Sequence, residues 1–276
     1  MKKNTERKTT ARKASVVCLC AVIAAACLFM CGCGGSADKE TLYQTSLLQS
    51  LMMGNYEGSI TVGELRDKGD TGLGTFEGVD GELIMLGGTV YQAVSDGSVV
   101  TADDKVKIPF SDVTFYDQDI TQTVKDVGDI EDLKTELDKT VDKNGKNDFY
   151  VIKINGTFSY MQVRSEYKQK KPYKPLDEVM KTDQKVYEYK NIKGTIVGLY
   201  CPDYMDGINT PGWHFHFLSE DTKRGGHILD LKCTKAEAGF DVTKDFSMSI
   251  PGTKSFQKQD LASDQSEAIT KVEKNK

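Results

Sequence analysis

From Gly74 onward apolar residues recur at alternate positions in short runs divided by glycine-containing turns. Only strands with one buried face accommodate that period. Residues 75–78, 82–86, 90–94 and 98–101 predict a meander turned at Val79-Asp80-Gly81, Gly87-Gly88 and Asp96-Gly97. Residues 113–116 form a further strand. Residues 149–154 and 158–164 flank Asn155-Gly156, the strongest two-residue hairpin signal in the chain. Strands at 185–189, 194–201, 213–218, 227–233, 240–242 and 246–250 follow.

Helical spacing is confined to shorter stretches. Residues 40–53 carry Leu42, Leu47, Leu48, Leu51 and Met52 and end at Gly54. Residues 129–141 place Ile130, Leu133, Leu137 and Val141 on one stripe and close at Asn144-Gly145. Residues 176–181 form a short helix, and the polar tail 257–276 has helical character. Strands outnumber helices, which predicts an α+β fold of mostly antiparallel strands, two-layered or barrel-like. The Lys- and Pro-rich stretch 168–175 interrupts the strands, so a subdivision near 165–185 is compatible with the pattern.

Five of the seven cysteines fall in the first 33 residues. They lie in a leader with basic Lys2, Lys3, Arg7, Lys8, Arg12 and Lys13, followed by an apolar run over 14–30, on the short side for a membrane span and placed where a signal's apolar region belongs. Gly32-Cys33-Gly34-Gly35-Ser36 resembles a bacterial lipobox. Cys33 is the better acceptor, because Cys31 would put Met30 at the cleavage position. Residues 1–32 are therefore expected to be a lipoprotein-type signal peptide, with an uncleaved N-terminal anchor as the other reading. Residues 33–40 form a linker, and 41–276 are the working unit, lipid-anchored on the outer face of a bacterial membrane. Residues 1–32 hold six Lys/Arg and Glu6, which leaves 30 basic and 40 acidic residues in the remainder. Such an acidic chain is a poor partner for nucleic acid. Cys201 and Cys233 remain, either as one disulfide or as two buried thiols.

All three histidines lie within 14 residues, as His214-Phe215-His216 and His227. On a strand, residues two apart face the same way, so His214 and His216 share one face and Phe215 and Phe217 the other. Residues 219–226 read as a hairpin connection. Pairing His216 with His227 puts the midpoint of that connection between Asp221 and Thr222 and the two Cβ atoms roughly 5 Å apart. Three imidazoles then converge on one point. Three protein ligands with an open position are the catalytic pattern for zinc, although imidazole also suits iron, copper or nickel. With every histidine so engaged, proton transfer falls to a carboxylate, Tyr, Lys or Arg. No histidine is left to activate Cys201 or Cys233, and the chain has no Gly-x-Ser-x-Gly elbow and no phosphate-binding loop.

From about Leu42 to the C-terminus the chain resembles the α-acetolactate decarboxylase family. The resemblance is carried by Gly72-Leu73-Gly74-Thr75-Phe76, Asp80-Gly81-Glu82-Leu83, Val90-Tyr91-Gln92, Val163-Arg164-Ser165, the run Lys171-Pro172-Tyr173-Lys174-Pro175-Leu176, and Gly194-Thr195-Ile196-Val197-Gly198. It is densest over Pro202-Asp203-Tyr204, Gly207-Ile208-Asn209, the run from Gly212-Trp213 through Ser219, and Gly225-Gly226-His227-Ile228-Leu229-Asp230. The resemblance implies the family's fold, a homodimer, and conversion of 2-acetolactate to acetoin and carbon dioxide. It implies zinc held by His214, His216 and His227, with Glu82 and Arg164 as site residues and Glu273 as a glutamate from the tail. Trp213 stands where the family often has tyrosine. Loss of carbon dioxide would leave an enediolate that zinc stabilises. Arg164 would orient the carboxylate, and Glu82 or Glu273 would deliver the proton.

Two rivals remain at this level. One is a cupin-type metalloenzyme, suggested by Glu220 four residues after His216, although His227 is too near for the later cupin strand. The other is a non-catalytic zinc-binding lipoprotein, which predicts four protein ligands and no organised Glu/Arg surround.

Overall fold

The computed structural model describes residues 38–263 and 265–274, with the side chains of Glu273 and Lys274 left out. Residues 1–32, expected to be a signal segment, and Cys33 lie outside the described residues. In chain order the elements are β1 (Thr41–Thr45), α1 (Leu48–Met52), β2 (Ile60–Thr61), α2 (Val62–Arg66), β3 (Thr71–Thr75), β4 (Glu82–Leu86), β5 (Thr89–Ala93), β6 (Val99–Thr101), β7 (Lys107–Ile108), β8 (Phe110–Thr114) and β9 (Ile120–Val127). There follow α3 (Ile130–Asn144), β10 (Phe149–Glu166), α4 (Leu176–Thr182), β11 (Gln184–Cys201), β12 (Gly212–Ser219), β13 (Gly225–Thr243), β14 (Asp245–Ser249) and α5 (Ser266–Lys274). Asp38–Lys276 forms one unit, and the stretch 168–175 is the connection from β10 to α4 within it.

One sheet orders its strands β14-β1-β8-β3-β4-β5-β6, antiparallel except where β1 meets β14. The other runs β10-β11-β12-β13-β9, and β10 also pairs with β13, so that β10, β11, β12 and β13 close into a ring. Both sheets have buried faces turned toward each other. Ile84 and Ala93 of the first meet Val197 and Leu218 of the second. Leu42 and Leu73 likewise meet Val151 and Leu199. On the far side of the first sheet, Leu83, Met85 and Val113 pack on Val62 and Leu65 of α2. On the far side of the second, α3 lays Leu133, Leu137 and Val141 onto Tyr150, Ile152 and Phe240. Asp129 caps α3 by accepting the Asp132 amide at 2.9 Å, and Gly145 ends it at φ 140°.

The α+β class and antiparallel pairing follow the alternation, but three local expectations are revised. Asn155-Gly156 is not a turn. It lies mid-strand in β10, paired to Thr195 and Gly194 on one side and to Glu237 and Ala236 on the other. Neither residue has the positive φ that a type I′ turn requires. The glycine serves close approach instead, because a Cβ on Gly156 would sit 2.9 Å from the Ala236 Cβ. In the same way 185–189 and 194–201 merge into β11, and 227–233 and 240–242 into β13. β13 is laddered on both edges through its break and β11 is held at its break by β10, so the polar backbone stays satisfied at positions that read as breaks in isolation.

The segment 40–53 is a strand followed by one helical turn. Ser46, at φ 65°, separates them, and pairing with β8 and β14 claims residues 41–45. Strand β9 was not anticipated. Cys201 and Cys233 are buried free thiols, and burial raises the Cys201 thiol well above its ordinary range, which removes both as a disulfide and Cys201 as a thiolate nucleophile.

Candidate metal centre

The centre sits where the buried faces of the two sheets meet. On β12, Trp213, Phe215 and Phe217 turn into the core of the ring, which leaves His214 and His216 on the face toward the first sheet. His216 pairs with His227 across the β12–β13 hairpin, in the expected register. His214 Nε2 lies 3.1 Å from His216 Nε2 and 3.0 Å from His227 Nδ1. All three side chains are buried, and one nitrogen from each falls within 4.8 Å of the others.

The donor set fits a cation. Burial, then the positive charge of Arg164, lowers the His214 pKa to about 3, and burial pushes His216 well below its usual value. Both imidazoles are therefore neutral at physiological pH. The Leu83 carbonyl accepts from His216 Nδ1 at 2.8 Å. A carbonyl only accepts, so the proton sits on Nδ1 and Nε2 presents its lone pair. That lone pair faces the Glu82 Oε2 at 3.3 Å. Two acceptors at this distance are reconciled by a cation or a shared proton between them. Three imidazoles bound at about 2.0–2.1 Å in tetrahedral geometry would hold their nitrogens about 3.3 Å apart; His214 Nε2 lies 3.1 and 3.0 Å from its two neighbours, and all three nitrogens lie within 4.8 Å of one another.

Strand β4 brings in Glu82. Leu83 and Met85 point to the α2 side, so Glu82 and Ile84 point to the second sheet, and Glu82 is 6% exposed. Arg164 enters from β10, opposite His227 in the β10–β13 ladder. Its side chain is 2% exposed, and its Nη1 donates to the Val272 carbonyl of α5 at 2.7 Å. Glu82, Arg164, His214 and His227 line one cavity, closed on its remaining sides by apolar residues of α1 and α4 and by Val272. Glu273 follows Val272 on α5, and its side chain is outside the described residues. Ile269 and Val272 seat that helix on Leu48, Leu51, Leu176 and Val179.

Glu166 also lines the cavity. It was not singled out from the sequence, although its position two residues after Arg164 on a strand was the available signal. Glu220 is exposed and sits beside Lys193, so the ligand that a cupin needs from it is absent. The carboxylate and arginine beside the imidazoles also speak against a site built only to bind a metal.

These features describe a mostly antiparallel α+β protein whose buried site is able to hold one metal ion. Residues 42–263 match the family model of alpha-acetolactate decarboxylase. The chain is 41% identical over 239 residues to the alpha-acetolactate decarboxylase of Methylococcus capsulatus, spanning 87% of this chain and 90% of the relative. It is 37% identical over 236 residues to that of Methanosarcina mazei, spanning 86% and 81%. The crystal structure of alpha-acetolactate decarboxylase from Bacillus subtilis strain 168 aligns at a TM-score of 0.81 and 33% identity, covering 85% of this chain and 99% of that one. The chain belongs to the α-acetolactate decarboxylase family, and so to the carboxy-lyases.

Proposed function

We propose that the chain converts 2-acetolactate to acetoin and carbon dioxide, with zinc held by His214 Nε2, His216 Nε2 and His227 Nδ1. The observation that carries this reading is the meeting of three buried imidazoles with one carboxylate and one guanidinium, at a cavity lined by His214, His227, Glu82 and Arg164. The cation would supply Lewis-acid charge against which the electron pair left by departing carbon dioxide is held as an enediolate.

The chain's own groups do the rest. Arg164 offers a planar, permanently charged fork to the substrate carboxylate. Guanidinium groups are poor proton donors at neutral pH, so the proton that reaches carbon comes from a carboxylic acid. Glu82 is placed for that role beside the imidazoles, with Glu273 of α5 as the second candidate. Apolar walls from α1, α4 and α5 exclude water and so strengthen every charge interaction inside.

Incubating residues 38–276 with racemic 2-acetolactate is expected to release acetoin in proportion to bound zinc, measured on the same sample by mass spectrometry. Activity that survives complete metal removal sinks the zinc reading, and no acetoin from zinc-loaded protein sinks the substrate. We also propose that residues 1–32 are an export signal and that Cys33 carries the lipid. Its support is the basic segment, the apolar run and Gly32-Cys33. Metabolic labelling with a clickable fatty acid should tag the wild-type protein and not Cys33→Ser; equal labelling of the variant, or none of the wild type, rules this out.

A further inference from the structure

Buried carboxylates without a task are rare, because a charge taken from water is costly unless a partner offsets it. Glu166 is 2% exposed, yet it sits on the wall of the reaction cavity. On β10 it lies two residues beyond Arg164, so both side chains leave the same face of the strand. Its Oε1 is 3.4 Å from Arg164 Nε, and both side chains are 2% exposed. The Val272 carbonyl accepts from Nη1 of the same guanidinium at 2.7 Å. Among its contacts, the guanidinium thus has a carboxylate in ion-pair range of its near nitrogen and a hydrogen bond from one end to the backbone of α5.

We propose that Glu166 is a positioning residue for the decarboxylation. It fixes the plane of Arg164 and offsets part of its charge, so that the substrate carboxylate is oriented without being held too tightly to leave. The inference rests on the proposed use of Arg164 toward the substrate carboxylate. Its physical basis is differential binding. A full guanidinium charge in a dry cavity would stabilise the carboxylate of the ground state, and that attraction is lost as neutral carbon dioxide departs. An arginine already paired orients the group and adds less to the barrier.

The test compares the full-length zinc-loaded protein with Glu166→Gln and Glu166→Leu. Glutamine keeps the shape and a polar oxygen beside the guanidinium but removes the charge; leucine removes both. For Glu166→Gln, KM on 2-acetolactate should fall together with kcat, each by about tenfold. The variant should also bind 2-hydroxyisobutyrate, a hydroxy acid with no ketone to receive the electrons, about tenfold more tightly by calorimetry. For Glu166→Leu, kcat should fall further and KM should rise, because orientation is lost as well. Unchanged kcat and KM per zinc-loaded site in Glu166→Gln overturn the proposal, as does a rise in KM with kcat unaltered. If Glu166→Leu does not fold, the near-isosteric glutamine variant alone decides. An inactive wild type points instead to failure of the activity proposed above, whereas an active wild type matched by Glu166→Gln refutes only the role of Glu166.

Discussion

Replacing His216 with alanine is expected to lower acetoin formation by about a thousandfold or more, the several kcal/mol that a Lewis acid contributes to charge stabilisation. Of the three imidazoles, His216 is the most firmly oriented. The Leu83 carbonyl fixes its tautomer, and its Nε2 faces both His214 and Glu82. Its removal takes one of three donors and leaves His214 and His227 to hold the ion alone, so the purified variant should contain little metal by mass spectrometry. His214→Ala and His227→Ala should behave alike. A His216→Ala variant that kept near-normal turnover without metal would remove the three-imidazole centre from the reaction.

Glu82→Gln is expected to lower kcat by about a hundredfold to ten-thousandfold, the range for loss of a placed acid or base, while the metal stays bound. Glutamine preserves the volume of a side chain that is 6% exposed, so the fold should tolerate it. Chiral chromatography of the acetoin formed adds a second readout. A proton delivered from one placed carboxyl gives one enantiomer, and delivery from water in the variant should erode that preference. Wild-type turnover in Glu82→Gln would take Glu82 out of the chemistry. Loss of zinc in that variant would make it a ligand instead of an acid, a meaningful distinction given its 3.3 Å approach to His216 Nε2.

The histidine centre was legible because its parts are local. His214, His216 and His227 sit on one hairpin, and strand period together with loop length placed them on one face before any tertiary contact was known. The same locality made α3 and its closure at Gly145 readable. Glu82 and Arg164 were different. Each reads as an ordinary polar residue on a strand, and only resemblance to a family pointed to them. Nothing local says that β4 and β10 bring those side chains to the imidazoles.

Asn155-Gly156 shows the converse failure. The dipeptide favours a turn by its own backbone freedom, but that preference is worth little against two full ladders of hydrogen bonds from β11 and β13. Glu166 was passed over for a related reason. A lone glutamate at the end of a strand carries no local sign of burial, and its burial depends on α1, α4 and α5 closing over β10.

By itself the sequence determined the alternation, hence an antiparallel α+β protein, and the three-imidazole face on one hairpin, since both follow from side-chain period and short-range turns. Only the tertiary structure decided that β10 to β13 close into a ring, and that Glu82 and Arg164 reach the imidazoles. It also decided that Glu166 is buried against Arg164. These are contacts between residues far apart in the chain, settled by which apolar faces can be buried together, a global condition that no local pattern encodes.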